Sequence, residues 1–182
     1  WQCIGATLSG TTLTVQPGQS VYCVVTNTAP PSYLTLLKVV DNGTTGATAV
    51  PADFVLSAAG PVTVTVDGNS PEVTLQEVPA GTYALGETGP DGDQASAWQC
   101  VGAASSTADS VTIIPGNSAY CEVTNTAKPS TLTLVKTVTN DNGGTASPLD
   151  WILTATGPTS ISGRSLDQSV SDAPVQIGDY SL

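Results

Sequence analysis

The chain has 182 residues, and its four cationic side chains face fifteen carboxylates, which gives a formal net charge of −11 with no histidine. Nucleic-acid binding is excluded because affinity for a phosphate backbone comes from lysine and arginine. Without histidine the chain lacks the usual general base and the commonest metal ligand, so a Ser-His-Asp or Cys-His enzyme is excluded too. Apolar residues make up 40% of the chain and charged residues 10%, which is typical of a chain that folds. No apolar run reaches the roughly 18 residues of a membrane span, so none is predicted in this segment.

The apolar residues alternate with period two, and no helical period of 3.6 persists. Clusters of Gly, Pro, Asn and Asp separate the alternating stretches and predict turns between them. Short strands at this spacing are typical of an all-β sandwich. The predicted strands of the central part are, in chain order, 33–40, 52–58, 62–66, 72–78, 82–87, 97–101, 110–114 and 119–126.

The chain repeats itself at an offset of 97 or 98 residues. Trp-Gln-Cys occurs at positions 1 and 98, Tyr-Cys at 22 and 120, Val-Thr-Asn-Thr-Ala at 25 and 123, and Leu-Thr-Leu-x-Lys at 34 and 132. We therefore divide the chain into three parts. Residues 1–31 are the C-terminal part of one repeat, 32–127 form a complete β-sandwich repeat, and 128–182 are the N-terminal part of a following repeat.

Two interpretations of the incomplete repeats stay open. In the first, which we favour, the chain is a window on a longer array, whose short Pro-containing linkers make it a semi-rigid rod. In the second, the incomplete ends of neighbouring chains complement each other by strand donation. The expected partners are accordingly neighbouring repeats or copies of the chain itself.

The four cysteines fall into one pair per repeat, Cys3 with Cys23 and Cys100 with Cys121. A metal site would require a shorter Cys-x-x-Cys spacing and usually histidine, so disulfides are predicted. Disulfides persist outside the cytosol, which indicates an extracellular protein.

Two of the three lysines occupy equivalent positions in an apolar strand, and these are Lys38 and Lys136. Residues two apart in a strand point to one face, so Lys38 lies on the face of Leu34 and Leu36. By the same parity Glu87 shares a face with Tyr83 and Leu85, and Asn125 shares one with Cys121 and Val123. Lys38, Glu87 and Asn125 are therefore all predicted to face the core, where an unpaired ammonium is costly.

The repeat resembles the collagen-adhesin B-type, SpaA-like domain of bacterial surface proteins and pilins, which has a prealbumin-like fold. The resemblance rests on Leu34-Thr35-Leu36-Leu37-Lys38, on Tyr83-Ala84-Leu85-Gly86-Glu87 and on Val123-Thr124-Asn125. It covers the whole complete repeat and, through the internal repetition, both partial ones. It implies a tandem array of Ig-like or transthyretin-like β-sandwich repeats.

The resemblance also implies an intramolecular isopeptide bond between Lys38 and Asn125, with Glu87 as the proton shuttle. Burial favours the uncharged amine and the protonated acid that this chemistry requires. Each partial repeat carries one equivalent of these three residues: Asn27 corresponds to Asn125, and Lys136 corresponds to Lys38. The alternative is a buried Lys38–Glu87 ion pair, with Asn125 hydrogen-bonded beside it and no covalent bond.

The function expected from these features is that of a non-enzymatic structural protein, a stalk, fibre or filament subunit on a bacterial cell surface. Isopeptide formation would happen once per domain and so would not be turnover. The alternative function is that of an adhesin module that contacts a host protein or glycan, whose ligand the sequence does not identify. No cofactor is expected. Calcium is the one candidate, through oxygen ligands at Asp91-Gly92-Asp93 or Asn140-Asp141-Asn142-Gly143, and neither segment has a complete loop signature.

Overall fold

The structure, a computed structural model, describes residues 1–68 and 75–182. The described chain is built from β-strands, with three single turns of 3-10 helix at Pro51–Asp53, Pro148–Asp150 and Gln168–Val170. None of its helices is long and apolar enough to span a membrane. The strands are β1 Gln2–Ile4, β2 Thr7–Ser9, β3 Thr12–Thr14, β4 Tyr22–Val24, β5 Ser32–Asp41, β6 Val55–Ala59, β7 Thr63–Asp67, β8 Gln76–Val78, β9 Gly81–Thr88, β10 Asp93–Ala95, β11 Gln99–Val101, β12 Ser105–Ser106, β13 Ser110–Ile113, β14 Ser118–Ala127, β15 Ser130–Leu132, β16 Leu153–Ala155, β17 Ile161–Gly163 and β18 Ala173–Val175.

Residues 32–127 form two five-stranded sheets that enclose one core. The first sheet has the order β10-β14-β5-β8, and β11 also pairs with β14. The second sheet has the order β12-β13-β9-β6-β7. The all-β sandwich predicted from the alternating pattern is confirmed.

The first and last long strands of this sandwich, β5 and β14, lie side by side and parallel. Their register runs from Tyr33 opposite Ser118 to Asp41 opposite Thr126. Because the two strands are parallel, the chain enters the sandwich at one end and leaves it at the other.

The core between the sheets consists of the alternate residues that the pattern predicted to face inward. The most deeply buried large side chains include Leu34, Leu56, Tyr83 and Val111, each 0% exposed. A tyrosine here needs a hydrogen-bond partner, and the Tyr83 hydroxyl donates to the backbone oxygen of Pro79 at 2.8 Å.

Several strand bounds differ from the prediction. Residues 52–53 lie in a 3-10 turn, because Pro51 at its first position favours a helical turn and Asp53 accepts a hydrogen bond from the Val50 N–H at 2.8 Å. The short edge strands β10 and β12 were not predicted, since two or three residues carry no alternating pattern. Of the predicted strand 72–78, residues 76–78 form β8 and residues 72–74 lie outside the described residues.

The terminal parts form only two-stranded sheets, β1 with β4, β2 with β3, β15 with β18 and β16 with β17. Residues 128–182 have a small core of their own around Ala155, Ile161, Val170 and Ala173. The division of the chain at 31/32 and 127/128 stays a prediction.

The 32–127 sandwich and the following part meet at the loop around Thr45, in addition to the hydrogen bond from the Lys128 N–H to the Gly92 oxygen. The Ile177 N–H donates to the Thr45 oxygen at 2.8 Å, and the Gln176 side-chain amide donates to the Thr44 oxygen at 3.1 Å. Gly46 has a φ of +81°, and a Cβ built on it would come within 3.3 Å of Gln176 Cβ. This loop needs glycine both for its conformation and for its close approach to the neighbour.

Candidate functional site

The candidate site begins at Lys38, near the end of the inward-facing run Leu34, Leu36 and Lys38 on β5. These three residues are 0%, 7% and 4% exposed, so the alternation places the lysine in the core as predicted. The Lys38 side chain itself is 0% exposed. A fully buried ammonium requires a compensating partner.

That partner is Glu87, which reaches Lys38 from the opposite sheet. Glu87 lies on β9 opposite Leu56 of β6, beyond the buried pair Tyr83 and Leu85. Lys38 Nζ donates to Glu87 Oε2 at 2.5 Å, and the carboxylate side chain is 16% exposed. The ion pair therefore links the two sheets at one edge of the core.

Asn125 completes the group from β14, the strand next to β5. Val123 lies opposite Lys38, and Asn125 lies two residues further along the same face, opposite Val40. Paired strands lie about 4.8 Å apart, so Asn125 is a diagonal neighbour of Lys38 on the next strand. Asn125 is 5% exposed, and its Oδ1 is buried without a hydrogen-bond partner. An unpartnered buried carbonyl is costly, so this amide is the least satisfied group of the site.

Phe54 is a part of the site that the sequence reasoning missed. Its ring is 1% exposed, and Lys38 Nζ lies over it at 4.2 Å from the ring centroid. The ring face attracts the ammonium and keeps water away from the amine. Gly89 makes room for this ring, because a Cβ at position 89 would collide with it. The internal repetition could have identified this ring, since Trp151 is an aromatic residue at the position equivalent to Phe54.

The partial equivalents do not assemble such a group. Lys136 is half-buried and lies over the Trp151 ring at 4.8 Å, but no ion pair of Lys136 is found among the described residues. Asn27 is exposed and lies outside any strand. Lysine and aromatic ring thus recur together, without the carboxylate or the amide.

Both predicted disulfides are confirmed. Cys3 is bonded to Cys23 across β1 and β4, and Cys100 is bonded to Cys121 across β11 and β14. In each pair the two residues lie directly opposite one another, with Cα atoms 4.1 Å apart. The second bond fastens β11 to the strand that carries Asn125.

Calcium binding at Asp91-Gly92-Asp93 or at Asn140-Asp141-Asn142-Gly143 stays a prediction. In the described part of the chain, no group of three or more Asp, Glu, Cys or His side chains is placed to hold a metal ion.

The architecture defines the class of protein, an all-β sandwich whose first and last strands are parallel neighbours. A family model described as a prealbumin-like fold domain of SpaA type matches residues 1–25, 29–123 and 127–182. The chain therefore belongs to the SpaA-type prealbumin-like fold family, as the strand motifs predicted. Neither the comparison with curated proteins nor that with solved structures finds a match. Domains of this family are generally structural modules of surface proteins and not enzymes, and two disulfides fit that setting.

Proposed function

We propose that this chain is an extracellular structural segment of a bacterial surface stalk, fibre or filament, in which a Lys38–Asn125 isopeptide bond stiffens the complete repeat. The observation that carries the proposal is the buried triad. A fully buried lysine is held at 2.5 Å by a carboxylate, beside a buried asparagine whose Oδ1 has no partner.

The reaction needs only the groups present. The Lys38 ammonium passes a proton to Glu87 along the hydrogen bond between them, which leaves a neutral amine beside a carboxylic acid. The amine nitrogen attacks Asn125 Cγ, while the protonated Glu87 donates to the developing oxyanion on Oδ1. Glu87 then carries a proton from the attacking nitrogen to Nδ2, the Cγ–Nδ2 bond breaks and ammonia leaves. The products are a Cγ–Nζ amide and, after ammonia takes up the released proton, one ammonium ion.

The position of this bond suits a protein under tension. A pulling force enters the repeat at the start of β5 and leaves at the end of β14, because the two parallel strands run from end to end. A covalent link near the exit ends of both strands carries the force directly from one to the other. The chain segment from residue 39 to residue 124, which is most of the repeat, then bears no load.

The exposed side chains also favour a structural role over the adhesin alternative. The exposed large aromatic residues of the described chain are Trp1, Tyr22 and Trp151, all in the terminal parts. Within the described residues of 32–127 the exposed large apolar side chains are aliphatic and are spread over several elements. A glycan-binding face is typically built from clustered aromatic rings.

The test is the intact mass of the 182-residue chain after reduction of its disulfides. We expect the wild-type mass to be lower than the sequence mass by one ammonia. The variants Lys38→Met, Asn125→Ala and Glu87→Gln should each have the full sequence mass, because they lack the amine, the amide or the proton shuttle.

Lys136→Met is the matched control, because it removes the equivalent lysine of the following part and should keep the loss of one ammonia. A wild-type mass equal to that of the sequence would leave a non-covalent ion pair and refute the isopeptide bond. Retention of the ammonia loss in Lys38→Met would show that another residue is the source of the link.

A further inference from the structure

A group of buried oxygen atoms without hydrogen-bond partners lies near the end of β14. In the described part of the chain, the buried side-chain nitrogen and oxygen atoms that lack a partner are Asn42 Oδ1, Asp93 Oδ1 and Asn125 Oδ1. All of them are acceptors. Each unpaired buried acceptor costs free energy, so a group of them in one place calls for a physical explanation.

The strand register places these oxygens around Ala127, the last residue of β14. Asp93 of β10 lies directly opposite Ala127 on one side. On the other side, Asp41 of β5 lies opposite the residue before Ala127, and Asn42 follows Asp41 in the chain. Asn125 precedes Ala127 by two residues and points to the same face of the strand. Since paired strands lie about 4.8 Å apart and two residues span about 6.6 Å, all these side chains start within about 7 Å of Ala127.

Local contacts fix the orientation of these side chains. The Asn42 side-chain nitrogen donates to the Ala49 oxygen at 2.9 Å, which turns Oδ1 of the same amide the other way. Asn125 is 5% exposed and Ala127 is 7% exposed, so both face inward from β14. Asp93 projects from the same face as Ala127, because directly opposite residues of an antiparallel pair share a face. The methyl group of Ala127 leaves room for a small ligand between the larger side chains.

This end of the core borders a cavity of about 640 Å³. Its lining includes Ala127 and the carboxylates of Asp53, Asp91 and Asp93, and the described residues that line it include no lysine or arginine. The cavity therefore favours a cation over an anion. Because Asp93 belongs both to the cavity wall and to the group of buried oxygens, the cavity gives a small cation a route between these oxygens and solvent.

We propose that Asn42 Oδ1, Asp93 Oδ1 and Asn125 Oδ1 form a binding site for ammonium, the leaving product of the Lys38–Asn125 reaction. Ammonium donates through every one of its N–H groups, so it can satisfy several acceptors that have no donor of their own. One carboxylate and two amide oxygens match a single positive charge, whereas Ca²⁺ takes about six to eight oxygen ligands. The inference rests on the proposed function for the source of the ammonium, but the acceptors are present whether or not the link forms.

The position of the site suits the last step of the reaction. When the Cγ–Nδ2 bond of Asn125 breaks, ammonia takes up the proton that Lys38 released and becomes ammonium inside the core, where an unpaired cation is costly. Asn42 Oδ1, Asp93 Oδ1 and the oxygen of the new amide accept hydrogen bonds from this ion. It then reaches solvent through the cavity beside Asp93, and its removal prevents the reverse attack on the new amide.

The experiment titrates the 182-residue chain with ammonium chloride and follows the Asn42 side-chain amide signal by ¹⁵N NMR. We expect a saturable shift of this signal. Tetramethylammonium chloride has the same charge but no N–H group, so it should leave the signal in place at equal ionic strength.

Asp93→Asn should weaken the binding of ammonium at least about tenfold, because it removes a charged acceptor. The matched control is Asp91→Asn, which removes an exposed carboxylate from the same cavity but not from the group of buried oxygens, and should change the affinity less than about twofold. Equal shifts with the two salts, or undiminished binding in Asp93→Asn, would overturn the proposal. The comparison of the salts uses only the wild-type chain, so it decides the question even if Asp93→Asn does not fold.

The intact mass of the same samples reports separately on the isopeptide bond. A chain that binds ammonium but keeps the full sequence mass would support the ammonium site and refute the Lys38–Asn125 link. A chain that has lost one ammonia but shows no specific response to ammonium chloride would support the link and refute the site.

Discussion

The complete repeat and the following partial repeat start from the same sequence pattern and reach different structures. In the complete repeat, Phe54 and Tyr83 are buried in the core, at 1% and 0% exposure. The equivalent Trp151 is 38% exposed, and Tyr180 is half-buried. Some local contacts nevertheless persist, since the Tyr180 hydroxyl donates to the Gln176 oxygen at 2.7 Å just as Tyr83 donates to Pro79.

This difference shows what the neighbouring strand contributes. Turns and local hydrogen bonds form in residues 128–182 as well, but the ten-residue strands and the large core form in residues 32–127, where β5 and β14 pair. Strand propensity reflects packing against neighbours more than an intrinsic backbone preference, and the two copies of one sequence illustrate it within a single chain.

Truncation of the buried Phe54 ring should have the largest effect on stability. Phe54→Ala removes a fully packed aromatic residue and the face under Lys38, so we expect the complete repeat to lose about 3–5 kcal/mol of stability. Trp151→Ala, at the half-exposed equivalent, should cost less than about 1 kcal/mol. Hydrogen exchange of the β5 and β14 amides measures the first, and exchange of the β16 amides the second. Equal costs would contradict the contrast in packing.

Removal of the disulfide of the complete repeat should have the second-largest effect on stability. Cys100→Ala with Cys121→Ala opens a bond that spans 21 residues and anchors β11 to β14, and should cost about 3 kcal/mol. The matched control is Cys3→Ala with Cys23→Ala, which should leave the exchange protection of β5 and β14 unchanged. A fall in that protection in the control would show that the N-terminal part supports the complete repeat.

Gly46→Val should weaken the contact between the loop around Thr45 and the following part. The substitution places a branched side chain at a φ of +81° and against Gln176, so it should break the Thr44 and Thr45 hydrogen bonds at a cost of about 1–2 kcal/mol. Small-angle scattering should show a wider range of end-to-end distances. Gly143→Val is the control, because position 143 has a φ of +85° but nothing within 4 Å, and its scattering should match that of the wild type.

The smallest predicted effect is a loss of folding stability at alkaline pH. Burial raises the pKa of Tyr83 above its ordinary value of 10.0, so the folded repeat keeps this proton at pH values where the unfolded chain has lost it. The stabilising contribution is thus complete below pH 10.0 and is lost as the pH rises through the folded-state pKa.

Urea unfolding between pH 9 and 11 measures this loss. Tyr83→Phe should cost about 1 kcal/mol at neutral pH through the lost bond to Pro79, and should flatten the alkaline decline. If the variant loses as much stability between pH 9 and 11 as the wild type, groups other than Tyr83 cause the loss.

The sequence alone was enough to predict the sandwich, the disulfides and the inward faces of Lys38, Glu87 and Asn125, since all three follow from parity and spacing. It did not reveal Phe54 as the ring beneath the lysine, because a lone aromatic residue in an apolar strand has many packing partners. The sequence also does not distinguish Trp1, which is 67% exposed, from its equivalent Trp98, which is 7% exposed, because the burial of a side chain depends on what packs against it and local sequence does not report this.

The most direct test of the central claim is peptide mapping of the wild-type chain by tandem mass spectrometry. The account predicts one branched peptide that joins Lys38 to Asn125, with Lys136 and Asn27 recovered in separate linear peptides. Recovery of Lys38 and Asn125 in two unmodified linear peptides would contradict it.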